Sequence, residues 1–423
     1  MATTNRSLSF SEWTPSTVEA PAAVVRGIES MFGASVSPVS DATAESLPTW
    51  NVTPVGVVGV ASIAGWQVSV RPRIPVGHVL WMAGAVTEWR GQSLLAAHHD
   101  VHTALAQLFI DIADETLRGG VLRGYRERRT DLATVRGRVD VAGQVRRRPG
   151  QGLPLAVVFE EHDENILENQ ILLAAATALG PLAAHDTGIR RGLHRVRTVL
   201  CDVTPIRVRP AEVPTVQWTR LNERYRHAVE LARLILANTG VESVGGATVG
   251  RSLTLKMHDV FEGFLARELG KRLTRFDGRA VPQDGRRWLD VGREVHLIPD
   301  LVWERGGLPA AVVDAKYQFI GPNDKHPSNI YQLLAYCVAL GLPAGHIVYA
   351  GARGDVPNPI QVVDNGPVIH VHALDLSTEP ALILQEIDGL AARIATAFGD
   401  NDDRAVTNQQ PSYRHWSSSS THD

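Results

Sequence analysis

A chain of 423 residues with 44% hydrophobic and 21% charged residues has room for two or three packed domains, and its composition is ordinary for a globular protein. A net charge of −3 excludes a uniformly basic nucleic-acid-binding protein, so any DNA contact has to come from local patches. Cys201 and Cys337 are the only cysteines, which excludes a disulfide framework and a Cys-x-x-Cys metal site and fits a reducing cytosol. The start, Met1 to Glu19, is polar without an apolar signal core, and no apolar run is long enough to span a bilayer, so no membrane association is expected.

In chain order, residues 1–20 are Ser/Thr-rich and predict disorder. Strands are expected at Val55–Ser62 and Gln67–Val70 around the Ala64-Gly65 turn, followed by Arg71-Pro72-Arg73-Ile74-Pro75. Leu94–Gly119 has helical period. Between Arg118 and Arg148 stand ten arginines against three acids, either a DNA- or partner-facing patch or simply a solvated face. Val135–Asp140 is strand-like and Pro149–Pro154 reads as a linker. Helices are expected at Glu164–Leu179, Val216–Asn238 and Lys256–Thr274, then a β-hairpin, then a helix over Asn329–Gly341. Strands at His346–Tyr349 and Val368–Leu374 and a helix over 382–398 follow. The tail from 401 is polar and Ser-rich, again predicting disorder. The resulting partition is a mixed α+β domain over 21–155, a helical connecting subdomain over 156–245, and an α/β sandwich around a mixed sheet over 246–400.

The hairpin carries the chemistry. Ile298-Pro299-Asp300-Leu301-Val302 and Ala311-Val312-Val313-Asp314-Ala315-Lys316-Tyr317 flank the turn signal Arg305-Gly306-Gly307. Side chains alternate along a strand, so Asp314 and Lys316 share a face, and Asp300 on the partner strand is near enough to join them. Two carboxylates ~4 Å apart at an effective dielectric of ~20 repel by about 4 kcal/mol, a cost that a divalent cation between them removes. Oxygen ligands favour magnesium, or manganese. The lysine can then orient the attacking water toward a phosphodiester, the layout of a metal-dependent nuclease. Only four of the 42 basic residues are lysines, so a lysine in an apolar strand stands out from an arginine-using background. Glu262, on the helix before the hairpin, is a candidate further metal oxygen or a solvated helical glutamate. Gln332 and Tyr336, i and i+4 on the helix after it, are candidates for the site or plain helix positions. The pair His98 and His102 lacks a third zinc ligand, and His370 with His372 is a weak signal.

Along almost its whole length the chain resembles the McrC family, the nuclease subunits of McrBC-type modification-dependent restriction systems. Its C-terminal half resembles the PD-(D/E)xK nuclease fold, with Pro299-Asp300 and Asp314-Ala315-Lys316 as the core motif. The likeness runs through Arg71–Pro75, Leu122-Arg123-Gly124-Tyr125, Arg136–Asp140, Glu164-Asn165 with Glu168-Asn169, and Leu221–Tyr225. Phe261-Glu262-Gly263-Phe264 and Ile330–Tyr336 complete it, and Arg73 stands where lysine is common in the family. The resemblance implies Mg2+-dependent DNA cleavage, with Asp300, Asp314 and the Ala315 carbonyl on the metal and Lys316 activating water. Gln332 would join the catalytic set, and Tyr336 would approach a DNA phosphate. It also implies an N-terminal domain that enters the ring of a McrB-like AAA+ GTPase hexamer, stimulates GTP hydrolysis, and leaves recognition of methylated cytosine in double-stranded DNA to that partner. The chain contains no G-x-x-x-x-G-K-[ST] loop, so it is not expected to be the NTPase. Two rivals stay open at this stage: a non-catalytic regulator of the motor, and a stand-alone repair nuclease of the same fold.

Overall fold

The computed structural model describes residues 6–41, 47–85, 100–182, 186–242, 250–324, 326–352, 355–363 and 366–407. The chain divides into two compact units, Met1–Met257 and His258–Asp423. None of the helices among the described residues is long and apolar enough to cross a membrane.

The first unit is built on a five-stranded sheet. Arg6–Ser11 runs parallel to Trp66–Arg71, which is antiparallel to Val57–Ile63; Gly250–Lys256 and Thr239–Glu242 complete the sheet by antiparallel pairing. Strand Gly250–Lys256 comes so close to Val57–Ile63 that a Cβ on Gly59 would lie 2.1 Å from the Leu253 carbonyl oxygen, at a backbone φ of 130°. Only glycine meets both demands. Helices Val101–Arg118, Leu167–Leu179, Thr187–Val199 and Arg226–Ala237 pack together through apolar stripes such as Leu105, Phe109, Ile171, Leu172, Ile189 and Ile235, all buried.

This arrangement corrects the domain boundaries read from local pattern. Arg6–Ser11 and Ser16–Glu19 are strands, so 1–20 is not wholly disordered. The expected cut at 155 falls at the start of Leu155–Asp163, the central strand of a three-stranded sheet with Gly124–Leu132 and Arg138–Val139. Pro149–Pro154 therefore connects elements of one sheet. The expected 246 boundary separates Gly250–Lys256 from the sheet it completes, and helix Pro380–Thr407 runs past 401. Pairing between strands nearly two hundred residues apart leaves no local trace.

The same sheet resolves the arginine patch. Eight of the ten arginines sit in ion pairs, among them Arg126–Asp163 (3.1 Å), Arg129–Glu127 (2.8 Å), Arg148–Asp131 (3.1 Å) and Arg128–Glu161. Strand Leu155–Asp163 and Glu164 bring much of the opposing charge, so this is largely a neutralised, solvated face. A fragment 1–257 is expected to melt cooperatively by circular dichroism, whereas 21–155 is expected to show no cooperative transition, having lost three strands of the five-stranded sheet, an edge strand of the Ser16–Thr53 sheet and the central strand Leu155–Asp163. A cooperative melt from 21–155 would restore the earlier boundary.

The second unit holds a six-stranded mixed sheet. Arg279–Pro282, Leu301–Arg305 and Leu308–Lys316 are antiparallel neighbours; Ala344–Tyr349 and Val368–Ala373 continue in parallel, and Ile360–Gln361 closes the edge. Gly306 and Gly307, at φ 56° and 83°, make the two-residue turn of the hairpin, since both central positions need positive φ. Helix Pro327–Leu340 links the parallel strands and covers one face through Leu333, Tyr336 and Cys337 against Val312, Ile347 and Ile369. On the parallel strands His346 joins His370 and His372 in a stack of imidazoles, with His346 Nδ1 3.1 Å from His372 Nε2.

Candidate active site

Hairpin register places the acids. Leu301 pairs with Val313, so Asp300 and Asp314 follow at the adjoining ends of the two strands. Asp300 Oδ2 accepts the Ala315 N–H at 2.8 Å, and Lys316 Nζ lies 2.7 Å from Asp314 Oδ2. Asp314 is 1% exposed and its Oδ1 has no hydrogen-bond partner. An ionised oxygen buried without a donor costs several times more than a satisfied one, which suits an atom reserved for a cation. Burial, opposed by Lys316, pushes the Asp314 carboxyl up to about 6. Burial likewise pushes Asp300 up to about 6, opposed by the Ala315 amide and reinforced by Glu262.

Glu262, on helix Met257–Leu273, has its carboxyl raised by burial while Lys316 lowers it and Asp259 and Asp314 raise it. It is thus within electrostatic reach of the pair. Among the described residues, no group of three or more His, Cys, Asp or Glu side chains stands ready to hold a metal ion. Two carboxylates and a backbone carbonyl with positions left for water fit magnesium, which sheds its waters reluctantly, better than a closed protein cage would. A residue's N–H and C=O point to the same strand edge, so the Ala315 carbonyl faces the side where its N–H meets Asp300.

The helix Pro327–Leu340 supplies the other two candidates. Gln332 is exposed and donates through Nε2 to the Tyr336 hydroxyl at 2.8 Å, confirming their shared face. Tyr336 is only 4% exposed, and its hydroxyl in turn donates to the Ile298 carbonyl at 3.2 Å. This buried donor is spent on the backbone that leads into Asp300.

Sequence reading missed how that backbone is held. Three consecutive carbonyls have separate anchors: Ile298 from Tyr336, Pro299 from the Asp284 N–H (3.3 Å), and Asp300 from the Gln283 N–H (2.9 Å). Gln283 sits at φ 45°, a conformation that surrounding structure must enforce. Asp284, 2% exposed, does so by gripping Arg286 (2.6 and 2.9 Å) and Arg287 (2.7 Å), which both reach Glu304 at 2.8 Å. The hydrogen bond from Arg286 holds the Asp284 carboxyl down to about 2. Asn329, whose Nδ2 reaches the Tyr349 hydroxyl at 3.2 Å beside Lys316, was missed too. A run of acid and arginine around a turn was the only available signal, and solvated turns carry the same run. His98, of the possible zinc pair, lies outside the described residues, and His102 is buried on its helix.

A family model described as "McrBC 5-methylcytosine restriction system component" matches residues 52–350. The chain belongs to this family. The match takes in every site residue above and most of the first unit, so McrBC membership covers both units. A chain from the half-complex of a tetradecameric assembly of Thermococcus gammatolerans McrB AAA+ hexamers with bound McrC aligns at TM-score 0.59 and 17% identity. That alignment covers 92% of this chain and 100% of the other. At that identity the likeness is one of fold, and the mixed α/β architecture is shared. A chain of the cryo-EM McrBC complex of the same organism aligns over 63% of this chain and 88% of its own, at 19% identity and TM-score 0.43. No curated protein matches the chain.

Proposed function

We propose that the chain is the DNA-cleaving subunit of a McrBC-like 5-methylcytosine-dependent restriction system, a cytosolic Mg2+-dependent endodeoxyribonuclease of the PD-(D/E)xK type. The observation that carries the reading is the convergence of Asp300, Asp314 and Lys316 at one strand end, with a buried, unpartnered carboxylate oxygen on Asp314. Asp300 and Asp314, with the Ala315 carbonyl, would hold Mg2+ (or Mn2+). When bound, the ion supplies Lewis-acid stabilisation of charge on the phosphoryl oxygens and makes water easier to ionise. Lys316 holds the attacking water and shields its developing negative charge, while Gln332, exposed and hydrogen-bonded to the Tyr336 hydroxyl, orients water or phosphate. Tyr336 and the Asp284 network keep Asp300 in place.

The family description and the McrB hexamers with bound McrC in the matched structure support an AAA+ GTPase hexamer as partner. The first unit would dock to it and stimulate GTP hydrolysis. The test is cleavage of 5-methylcytosine-containing duplex DNA by this chain with its AAA+ partner and GTP, with Mg2+ and with EDTA. Cleavage that persists in EDTA, or none with all components present, would sink the reading.

The raised carboxyls add a pH signature. Folded values near 6 lie above the unfolded value of 3.8, so the fold favours the protonated forms; without cation, ionisation costs stability as pH rises from about 4 to 6. Mg2+ competes with those protons, so its affinity should fall about tenfold per pH unit below 6 for each proton displaced. The Mg2+-induced rise in Tm should be small at pH 5 and level off above pH 7. A shift independent of pH would place the cation elsewhere.

A further inference from the structure

Four arginines in the first unit differ from all those of the neutralised sheet. Arg190, Arg191 and Arg197 on helix Thr187–Val199, and Arg251 on strand Gly250–Lys256, border one cavity of about 940 Å3 with His194 and Thr187. No acidic residue lines it, and none of the four has an acidic partner among the described residues. Arg191 Nε donates to the Thr187 carbonyl at 3.3 Å, which leaves its terminal nitrogens unspent. By contrast Arg195, one position off this face, is paired with Asp114 at 2.8 Å. A protein of net charge −3 has thus gathered four arginines without an acidic partner, among the described residues, around a single concavity. Like charges so placed repel, and an anion removes that repulsion.

We infer that this cleft binds the phosphodiester backbone of DNA, as a second contact remote in sequence from the cleavage residues. Arg190, His194 and Arg197 stand at i, i+4 and i+7, a row about 10 Å long at ~1.5 Å per residue, which matches about three nucleotides of a strand at ~3.4 Å rise. Guanidinium forks suit phosphate oxygens bidentately. Among the described residues the lining contains no Phe, Tyr or Trp ring to stack a base and no carboxylate to bind ribose hydroxyls, so a backbone fits it better than a nucleotide does. Contacts of this kind position DNA without reading its sequence. The inference concerns binding alone and stands apart from the assignment of the nuclease centre.

The test uses the full chain in EDTA, where no cleavage occurs, with fluorescein-labelled duplex DNA followed by anisotropy across a salt series. Four phosphate contacts predict a log–log salt slope near −4, at about −0.9 per contact. Arg190→Gln/Arg197→Gln should reduce the slope by about two and weaken binding at least tenfold at low salt. Arg191→Gln/Arg251→Gln, the alternative pair if the first misfolds, should do the same, while Arg195→Gln should leave the slope unchanged. An unchanged slope in a folded double variant, or no DNA binding by the parent at low salt, overturns the inference. So does binding of inorganic triphosphate that depends on these arginines while DNA binding does not, which would make the cleft a site for free phosphates. Loss of AAA+ partner binding with DNA binding intact would likewise overturn it, in favour of an acidic protein surface.

Discussion

Asp314→Asn and Lys316→Ala should each reduce DNA cleavage by the assembled system at least a thousandfold while the chain keeps its fold. The reasons differ. Asp314 is buried with one oxygen unpartnered, so the amide variant removes the charge that would hold the cation and places an NH2 where an acceptor stood. Its thermal stability should be unchanged or higher, because a costly buried charge disappears. Lys316→Ala leaves both carboxylates, so Mg2+ should still raise Tm, now without turnover. Removing the ammonium also strips Asp314 Oδ2 of its 2.7 Å partner, which should push that carboxyl higher still and move the onset of Mg2+ binding to higher pH. Lys316→Arg should recover little, because a planar guanidinium cannot reproduce a compact ammonium in a site 19% exposed. Calorimetric Mg2+ titration of the folded variants separates the two cases. Near-parental cleavage by either variant, freed of contaminating nuclease, would remove these residues from the site.

The second large effect concerns delivery. The chain alone should cut methylated duplex DNA at least a hundredfold more slowly than in the presence of its AAA+ partner and GTP. Its net charge is −3, and the arginine-rich sheet that promised a grip on phosphates has spent eight arginines in ion pairs with its own acids. The unpaired cleft supplies at most about four contacts, and binding that falls with roughly the fourth power of salt is weak at physiological ionic strength. A motor that holds the DNA makes up the difference. Gel-resolved cleavage at 150 mM salt measures it, with and without the partner and with a non-hydrolysable GTP analogue as the third arm. Equal rates with and without partner would favour a stand-alone nuclease.

The hairpin was legible because its determinants are local. A period of two along the strand puts Asp314 and Lys316 on one face, but the register that sets Asp300 beside Asp314 depends on a bulge between Trp303 and Glu304, which spacing from the Gly306-Gly307 turn does not reveal. Gln332 and Tyr336 were likewise readable as partners, because one helical turn separates them. What Tyr336 does was not, since its partner, the Ile298 carbonyl, lies 38 residues away and on another element. The clamp of Asp284, Arg286, Arg287 and Glu304 escaped for the same reason: in sequence it is a charged turn, and only folding buries Asp284 beneath two guanidiniums. The arginine run shows the limit most plainly. Its charge was countable in the sequence, but its meaning depended on which strand would lie beside it, and Leu155–Asp163 arrived carrying acids. Arg190, Arg197 and Arg251 attracted no notice as residues, and became a site because strand Gly250–Lys256 returns to the first sheet beside helix Thr187–Val199. Side-chain periodicity and turn chemistry are properties of a few neighbouring residues, so the hairpin and the shared face of Asp314 and Lys316 were readable locally, while the bulge that brings Asp300 to them was not. Burial, charge neutralisation and strand pairing depend on what comes from elsewhere in the chain, so which charges are spent, which are free, and where one unit ends emerge only on folding.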